Sequence, residues 1–509
     1  MASNNQPDDR GVYDLVVVGG GPAGLTAALT AAGAGRSVCV VDKTPRGQVM
    51  FSGPTGLFSK ALRDAAKKVR VRTLREMGLR DTSIWKQVQD MTVDIMNDSG
   101  HKNVLAVEAS RLPYYRGRAT LLPSDASGQS TLVVVEDPEI ALPAQGDARQ
   151  LSVFKIKAKK LMIATGSRPF KLPHVPYNGK TIHDSDTIRN LGFLPRDMVI
   201  VGSGIIAIEF AKIFCMLECH VTLVVRSTSF VGALGRIGVD KAIAFALQRD
   251  LMKSGVKILF DAEVDEVHEQ GGDSNLHLKI KRSSNKQPLC EIDTDVLMTA
   301  TGREPNTKNL GLEAAKLQMD KNGCILVTGD LETNMPGVYA AGDVVGMPSL
   351  ASTGIEQAKT AVQRMFKLDD VAERTWMRSE PRAPKDPTSL MRSPLEYPIG
   401  IWTLPEIGYI GRTKERALAD GWASVGEAVA LYGQTIRGRV QGLDTGLLKL
   451  VFSKPDGVIL GVRVARCRMH ACMHACMYAC MHACIHTYIH RYIHTYIHIV
   501  LSPLISTHS

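Results

Sequence analysis

Two glycine-rich turns, each entered from a short apolar run, constrain this chain more than any other feature. The first, Gly19-Gly20-Gly21-Pro22-Ala23-Gly24, follows Leu15-Val16-Val17-Val18. The second, Gly202-Ser203-Gly204-Ile205-Ile206-Ala207, follows Met198-Val199-Ile200-Val201. Each reads as strand, tight turn and helix start, where backbone N–H groups and a helix dipole hold a pyrophosphate. Two such turns predict two bound dinucleotides, and two dinucleotides predict electrons passing between them.

The context strengthens the first turn. Leu25 to Ala34 reads as a small-residue helix and Val38-Cys39-Val40-Val41 as the next strand. That strand ends in Asp42, roughly twenty residues past the turn, where a ribose-binding carboxylate belongs. The second unit departs from the pattern twice. Ala207 stands where a third glycine would allow the closest helix–strand packing, and the strand Val221 to Val225 ends in Arg226, not an acid. A carboxylate there accepts a ribose hydroxyl of NAD and repels the extra phosphate of NADP; an arginine attracts that phosphate. NADP acceptance is therefore favoured, with a solvated surface arginine as the alternative.

At 509 residues the chain has room for about three domains. Its net charge of +10 is scattered, so anionic cofactors account for it without nucleic acid. No apolar run approaches the ~20 residues that span a bilayer. Met1 to Arg10 is polar and carries Asp8 and Asp9, unlike a secretory signal or an Arg-rich transit peptide. A cytoplasmic location is the expectation, with a mitochondrial one left open. Of ten cysteines, five lie after Arg466; Cys39, Cys215, Cys219, Cys290 and Cys324 are dispersed and read as packing residues of a reduced compartment, with no metal site.

Along the chain, residues 1–11 read as a disordered N-terminus and 12–168 as the first part of one dinucleotide domain. Residues 169–300 read as the second such domain, 301–366 as a return to the first, 367–396 as a Pro-rich linker, and 397–465 as part of a further α+β domain. The phrase Ala164-Thr165-Gly166-Ser167 recurs as Ala300-Thr301-Gly302-Arg303, each time putting a glycine at the end of an apolar strand. Gly337 to Val344 reads as a strand that delivers Asp343 to a turn. The fold class is α/β, with two Rossmann-like domains and a truncated α+β domain.

This order of motifs resembles the flavoprotein disulfide reductases, the family of glutathione reductase, lipoamide dehydrogenase and soluble pyridine nucleotide transhydrogenase, over roughly residues 12–465. The resemblance implies FAD on the first turn (Gly19, Gly21, Gly24) and Asp42. It implies Thr165, Gly166, Gly342 and Asp343 along the flavin and its ribityl chain. NAD or NADP would lie on Gly202, Gly204, Ala207 and Gly302, with Arg226 at the ribose. Gly117, Ser167 and Val264 complete the implied cofactor-binding set. The partners implied are nicotinamide nucleotides, with a homodimer as the assembly of the intact family fold.

The disulfide reductases carry two cysteines five positions apart ahead of a Ser-Lys-Ala-Leu-like phrase. Counting back from Ser59-Lys60-Ala61-Leu62, those positions hold Phe51 and Gly56, and Met50 to Phe58 contains no thiol. Dithiol chemistry at this place is excluded. What remains is Lys60, expected at the start of the helix, and Glu209 on the helix after the second turn. The resemblance implies that they pair beside the reactive flavin nitrogen, where a cation stabilises developing negative charge. The transhydrogenase branch adds Arg303, Asn306, Gly346 to Ser352 and Trp402 to Ile407, and needs no cysteine pair.

The expected activity is hydride transfer between NADPH and NAD through FAD. A diaphorase or quinone-reductase-like or lipoamide-dehydrogenase-like flavoprotein, and a nucleotide-binding pseudoenzyme, stay open. From Cys467 the chain repeats Met-His-Ala-Cys and then Ile-His-Thr-Tyr. A four-nucleotide repeat returns to frame every twelve nucleotides, so this tail reads as translated simple-sequence DNA without assigned function. The expectation is that the last domain breaks off before the family's final His and Glu, leaving dimerisation in doubt.

Overall fold

The computed structural model describes residues 8–43, 55–123, 130–136, 153–235, 238–271, 275–368, 399–403, 405–440, 446–455 and 457–466, with positions 390 and 442. Residues 1–7, most of the expected linker, Phe51 and the repeat tail lie outside the described residues.

The first unit is built from β1 (Asp8–Val18), α1 (Pro22–Gly33), β2 (Val38–Asp42), three helices α2 (Thr55–Lys68), α3 (Val71–Glu76) and α4 (Asp81–Ala109), then β3 (Tyr114–Leu121), β4 (Ser130–Glu136) and β5 (Val153–Ile163). Strands β2 and β5 flank β1 in parallel, β3 extends the sheet beyond β2, and β4 runs antiparallel between β3 and β5. Leu15, Val16, Val17 and Val18 are all buried, the pattern of a strand covered on both faces. Strand β1 begins earlier than the sequence suggests: Asp8 and Asp9 pair with Phe154 and Lys155 across a bulge that ends at Val12. The long partner strand β5 offers backbone groups there, and pairing them outweighs the polar side chains.

The chain then crosses through β6 (Ser167–Pro169) into a second parallel sheet. Its elements are β7 (Ile182–Asp184), β8 (Asp197–Val201), α5 (Ile205–Met216), β9 (His220–Val225), α6 (Phe230–Gly235), α7 (Lys241–Lys253) and β10 (Lys257–Phe260). An antiparallel meander follows, β11 (Ala262–Glu269), β12 (Leu276–Arg282) and β13 (Pro288–Thr294), before β14 (Val296–Thr299) completes the sheet in the order β10-β9-β8-β14-β7. β15 (Arg303–Pro305) returns antiparallel to β6, and β16 (Val338–Ala340) rejoins β5. Helix α8 (Ala351–Phe366) packs on α1.

The third unit is an antiparallel sheet of β17 (Ile399–Ile401), β18 (Glu406–Gly411), β19 (Val425–Leu431), β20 (Leu447–Ser453) and β21 (Ile459–Arg466), with short helices α9 (Lys414–Ala419) and α10 (Ile436–Val440). One apolar core joins all three units: Phe58 and Leu62 of α2, Trp85 of α4, Phe210 and Phe214 of α5, and Ile407 of β18. The rings form a ladder, Phe58–Phe210 at 6.3 Å, Phe210–Phe214 at 6.4 Å and Phe214–Trp85 at 6.2 Å. Such burial stabilises by roughly 25 cal/mol per Å² and fixes α2 against α5. Among the described residues no helix is long and apolar enough to cross a membrane.

Candidate active site

Both glycine turns are built the same way. Gly19 leaves β1 at φ +112° and Gly202 leaves β8 at φ +137°, backbone angles that favour glycine. A Cβ at Gly19 would collide with the Ala164 carbonyl, and a Cβ at Gly202 with the Ala300 carbonyl. The contact is closed by Ala164 N–H donating to Val18 and Ala300 N–H donating to Val201, each at 2.8 Å. Each Ala-Thr-Gly phrase is thus the wall against which its own glycine turn bends.

Gly21 and Gly204 N-cap α1 and α5 in extended conformation, with no side chain satisfying the first-turn N–H groups. A Cβ on either would enter open space. This is a cradle that suits an anionic group at each helix start. Gly24 and Ala207, expected among the cofactor-binding residues, sit behind the turns and are not part of the walls of the two cavities described below. A Cβ at Gly24 would strike the Gly19 carbonyl, so this glycine lets α1 approach β1; Ala207 is fully buried and fills the matching place in the second unit.

A cavity of about 1210 Å³ runs between the two turns. Gly19, Gly21, Asp42, Thr165, Gly166 and Ser167 line it from the first unit, with Gly342 and Asp343 of the return segment. Gly202, Gly204, Arg226, Val264 and Gly302 line it from the second, and Lys60 and Glu209 stand between. A second cavity of about 670 Å³ shares Gly19, Asp42, Thr165 and Ser167 and adds Gly117. The two cavities meet at the first turn, and the larger one reaches from there to the second.

Two polar chains fix the walls. Tyr114 donates its hydroxyl to Asp42 Oδ2 at 2.9 Å, holding the carboxylate beside the turn. Ser167 donates to Asp343 Oδ2 at 2.5 Å and accepts from Arg303 Nε at 2.7 Å. Arg303 also donates to the Ser167 carbonyl at 2.8 Å and to Asp186 at 2.9 Å. One guanidinium therefore ties the first unit to the second while positioning Asp343 through Ser167.

Lys60 lies past the first turn of α2, not at its start, because the helix already begins at Thr55. It forms no direct ion pair with Glu209. Its ammonium donates to the Gly56 carbonyl at 3.1 Å and lies 5.4 Å from the centre of the Trp402 ring. The buried Glu209 carboxylate instead accepts from Ser59 Oγ at 3.0 Å. Arg63 donates to the Trp402 carbonyl at 3.0 Å, bridges to Glu406 at 3.3 Å and lies 5.1 Å from the Trp402 ring. Burial pushes the Glu209 carboxyl above the ordinary range, opposed by Lys60, the Ser59 hydrogen bond, Arg63 and the Trp402 backbone. Burial pulls the Lys60 ammonium down, Glu209 holds it up, and Arg63 lowers it further. The arrangement gathers two cations, Lys60 and Arg63, and two buried carboxyl groups, Glu209 and Glu406, at the meeting of three units.

Ser59, Arg63, Trp402 and Glu406 were not singled out from the sequence as site residues. Arg63 and Glu406 are 343 positions apart, and only packing reveals them as partners. No described cysteine lines either cavity. Burial raises the thiol pKa of Cys39 and Cys219 far above the ordinary value, as expected of packing residues. Among the described residues no cluster suits a metal ion.

Comparison with known proteins agrees with this construction. Residues 13–364 match the family of pyridine nucleotide-disulphide oxidoreductases. The chain belongs to that family. Membership in the pyridine nucleotide-disulphide oxidoreductase family implies use of a flavin and a pyridine nucleotide, and the two helix-start cradles suit both. The soluble pyridine nucleotide transhydrogenase of Ectopseudomonas mendocina is 32% identical over 459 residues, covering 88% of this chain and 87% of that protein. That of Marinomonas sp. is 30% identical over 455 residues, with the same two coverages. The HOCl-induced flavoprotein disulfide reductase RclA of Escherichia coli superposes with a TM-score of 0.72 at 20% identity, covering 97% of this chain and 99% of its own. LpdA of Mycobacterium tuberculosis superposes with a TM-score of 0.69 at 21% identity, covering 89% of each chain. These two structures establish the shared fold.

Proposed function

We propose that this chain is an FAD-dependent oxidoreductase that passes a hydride between NADPH and NAD, with no enzyme disulfide in the path. The observation that carries the reading is the single cavity lined by both glycine turns with Lys60 and Glu209 between them. The names of the transhydrogenase relatives support it, as does the absence of thiols from Met50 to Phe58.

FAD would be held by the Gly19–Gly21 turn and by Asp42, with Asp343 at its ribityl chain. When bound, the flavin supplies the centre that takes a hydride from one nucleotide and gives it to the next. This chain's own residues align and polarise. Gly202, Gly204 and the α5 N-terminus would hold the nucleotide pyrophosphate, and Arg226 favours a 2′-phosphate. The Lys60 ammonium, largely withdrawn from water and not ion-paired with Glu209, would offer positive charge to a bound flavin; Ser59 and the Trp402 backbone keep Glu209 in place. A homodimer is the assembly the family resemblance implies.

The purified protein should be yellow, lose its flavin absorbance on anaerobic addition of NADPH, and regain it on addition of NAD. Loss of colour with NADPH but recovery only with a quinone would replace the reading by that of a diaphorase. Nucleotide binding without any colour change would make the protein a non-catalytic binder.

A further inference from the structure

Beyond Arg226, the cavity wall in the second unit is formed by the meander, which contributes Glu263, Asp265, Lys281 and Lys286. Three separate segments converge there. The Asp261 N–H donates to the Ser227 carbonyl at 3.1 Å, tying the start of β11 to the loop after Arg226. The β12–β13 turn folds onto the same place: Ser283 N–H donates to the Asp261 carbonyl at 2.8 Å, and Ser284 donates to the Asp261 carboxylate through its N–H at 2.8 Å and its hydroxyl at 2.7 Å.

This turn carries Lys286, whose ammonium donates to Glu263 Oε1 at 2.7 Å. Glu263 is largely covered, with 21% of its side chain exposed, and also accepts from Ser283 Oγ at 3.3 Å; Lys286 is 60% exposed. Lys281 is bonded to Asp265 at 2.6 Å and also stands 3.8 Å from the same Glu263 Oε1, a looser contact than that of Lys286. The rim therefore holds a fixed acceptor and a loosely held cation joined to each other.

NAD and NADP differ at one position, the 2′ substituent of the adenosine ribose, which is a hydrogen-bond donor in one and a phosphate dianion in the other. A fixed carboxylate alone suits the first and repels the second. A fixed arginine alone suits the second and offers the hydroxyl no acceptor. One site serving both in turn needs acceptor and cation together. A Lys–Glu pair whose lysine is mostly in solvent is weak, and that lysine is readily exchanged into contact with a dianion.

We propose that the Glu263–Lys286 pair is a specificity-determining element that lets one site take both nucleotides. Glu263 accepts the 2′-hydroxyl of NAD while bonded to Lys286; Lys286 leaves Glu263 and joins Arg226 on the 2′-phosphate of NADP. This rests on the assignment of the second glycine turn to a nicotinamide nucleotide.

The test is calorimetric titration of the FAD-loaded protein with two half-nucleotides, 2′,5′-ADP and ADP, which need no turnover. Lys286 sits at φ +62°, a conformation asparagine tolerates, so Lys286→Asn should fold normally. It should weaken 2′,5′-ADP about tenfold while changing ADP less than about twofold. Glu263→Gln should move the other way, weakening ADP several-fold and tightening 2′,5′-ADP. Lys286→Arg should keep the wild-type preference. Equal effects on both probes, or none, in Lys286→Asn and Glu263→Gln would overturn the assignment while leaving the nucleotide site standing. Failure of the wild-type protein to bind either probe would remove the nucleotide site itself and the pair's role with it.

Discussion

Ser59 and Glu209, 150 positions apart, share a buried 3.0 Å hydrogen bond that joins the helix beside the first glycine turn to the helix that starts at the second. The carboxylate so held feels the charge of Lys60 without bonding to it. The charge balance of the site therefore depends on a neutral hydroxyl. Ser59→Ala should leave Glu209 short of a donor and cost about 1–3 kcal/mol of stability, measured by denaturant unfolding. A variant as stable as the parent would show that the bond contributes nothing.

Lys60→Met should slow flavin bleaching by NADPH by on the order of a hundredfold while FAD content stays near that of the parent. Stopped-flow absorbance gives the rate, and the flavin-to-protein ratio gives the content. An unchanged rate would remove Lys60 from the mechanism.

Glu209 also makes stability depend on pH in a definite direction. Its folded pKa is raised, so its contribution is fully present below the ordinary glutamate range and is lost as pH rises through the folded value. Glu209→Gln, which resembles the protonated acid, should gain stability relative to the parent as pH rises from about 4 to 8. Parallel stability curves for the two proteins over that range would contradict the shift.

The two glycine turns should fail separately. Gly19→Ala meets the Ala164 carbonyl and Gly202→Ala the Ala300 carbonyl, each at a positive φ that L residues rarely adopt. Gly19→Ala should lose FAD. Gly202→Ala should retain the yellow colour but bind 2′,5′-ADP at least about tenfold more weakly, since a turn displaced by even a little misaims its N–H groups. Loss of flavin in both variants alike would mean that the two turns are not independent sites.

Thiol alkylation of the folded protein should leave NADPH-driven bleaching and NAD-driven recovery within about twofold of the untreated rate, because no described thiol lines the cavity and burial keeps Cys39 and Cys219 protonated. Abolition of either half-reaction by iodoacetamide would reinstate a sulfur relay.

Much of this architecture was legible because each glycine turn is local: strand, turn, helix start and the following strand lie within about thirty residues of one another. The Ala-Thr-Gly phrases were visible too, but that each forms the wall for its own turn needed tertiary structure. The cluster around Trp402 was not legible, since Ser59, Arg63, Glu209 and Glu406 come from three units and share no periodicity. The same holds for Asp8 and Asp9, whose polar side chains hide a backbone already paired with β5. Gly24 and Ala207 were recognisable as parts of a motif, but motif membership does not separate residues that touch a ligand from those that let a helix come close.

The crossing strands β6 and β15 lie side by side, Arg303 opposite Pro169 and Pro305 opposite Ser167, so the chain leaves the first unit and re-enters it at almost one point. The second unit is thereby a cassette spliced into an otherwise continuous host. Its entry and exit share that one seam, while the rings of Phe58 and Trp85 clasp Phe210 and Phe214 and anchor it to the host.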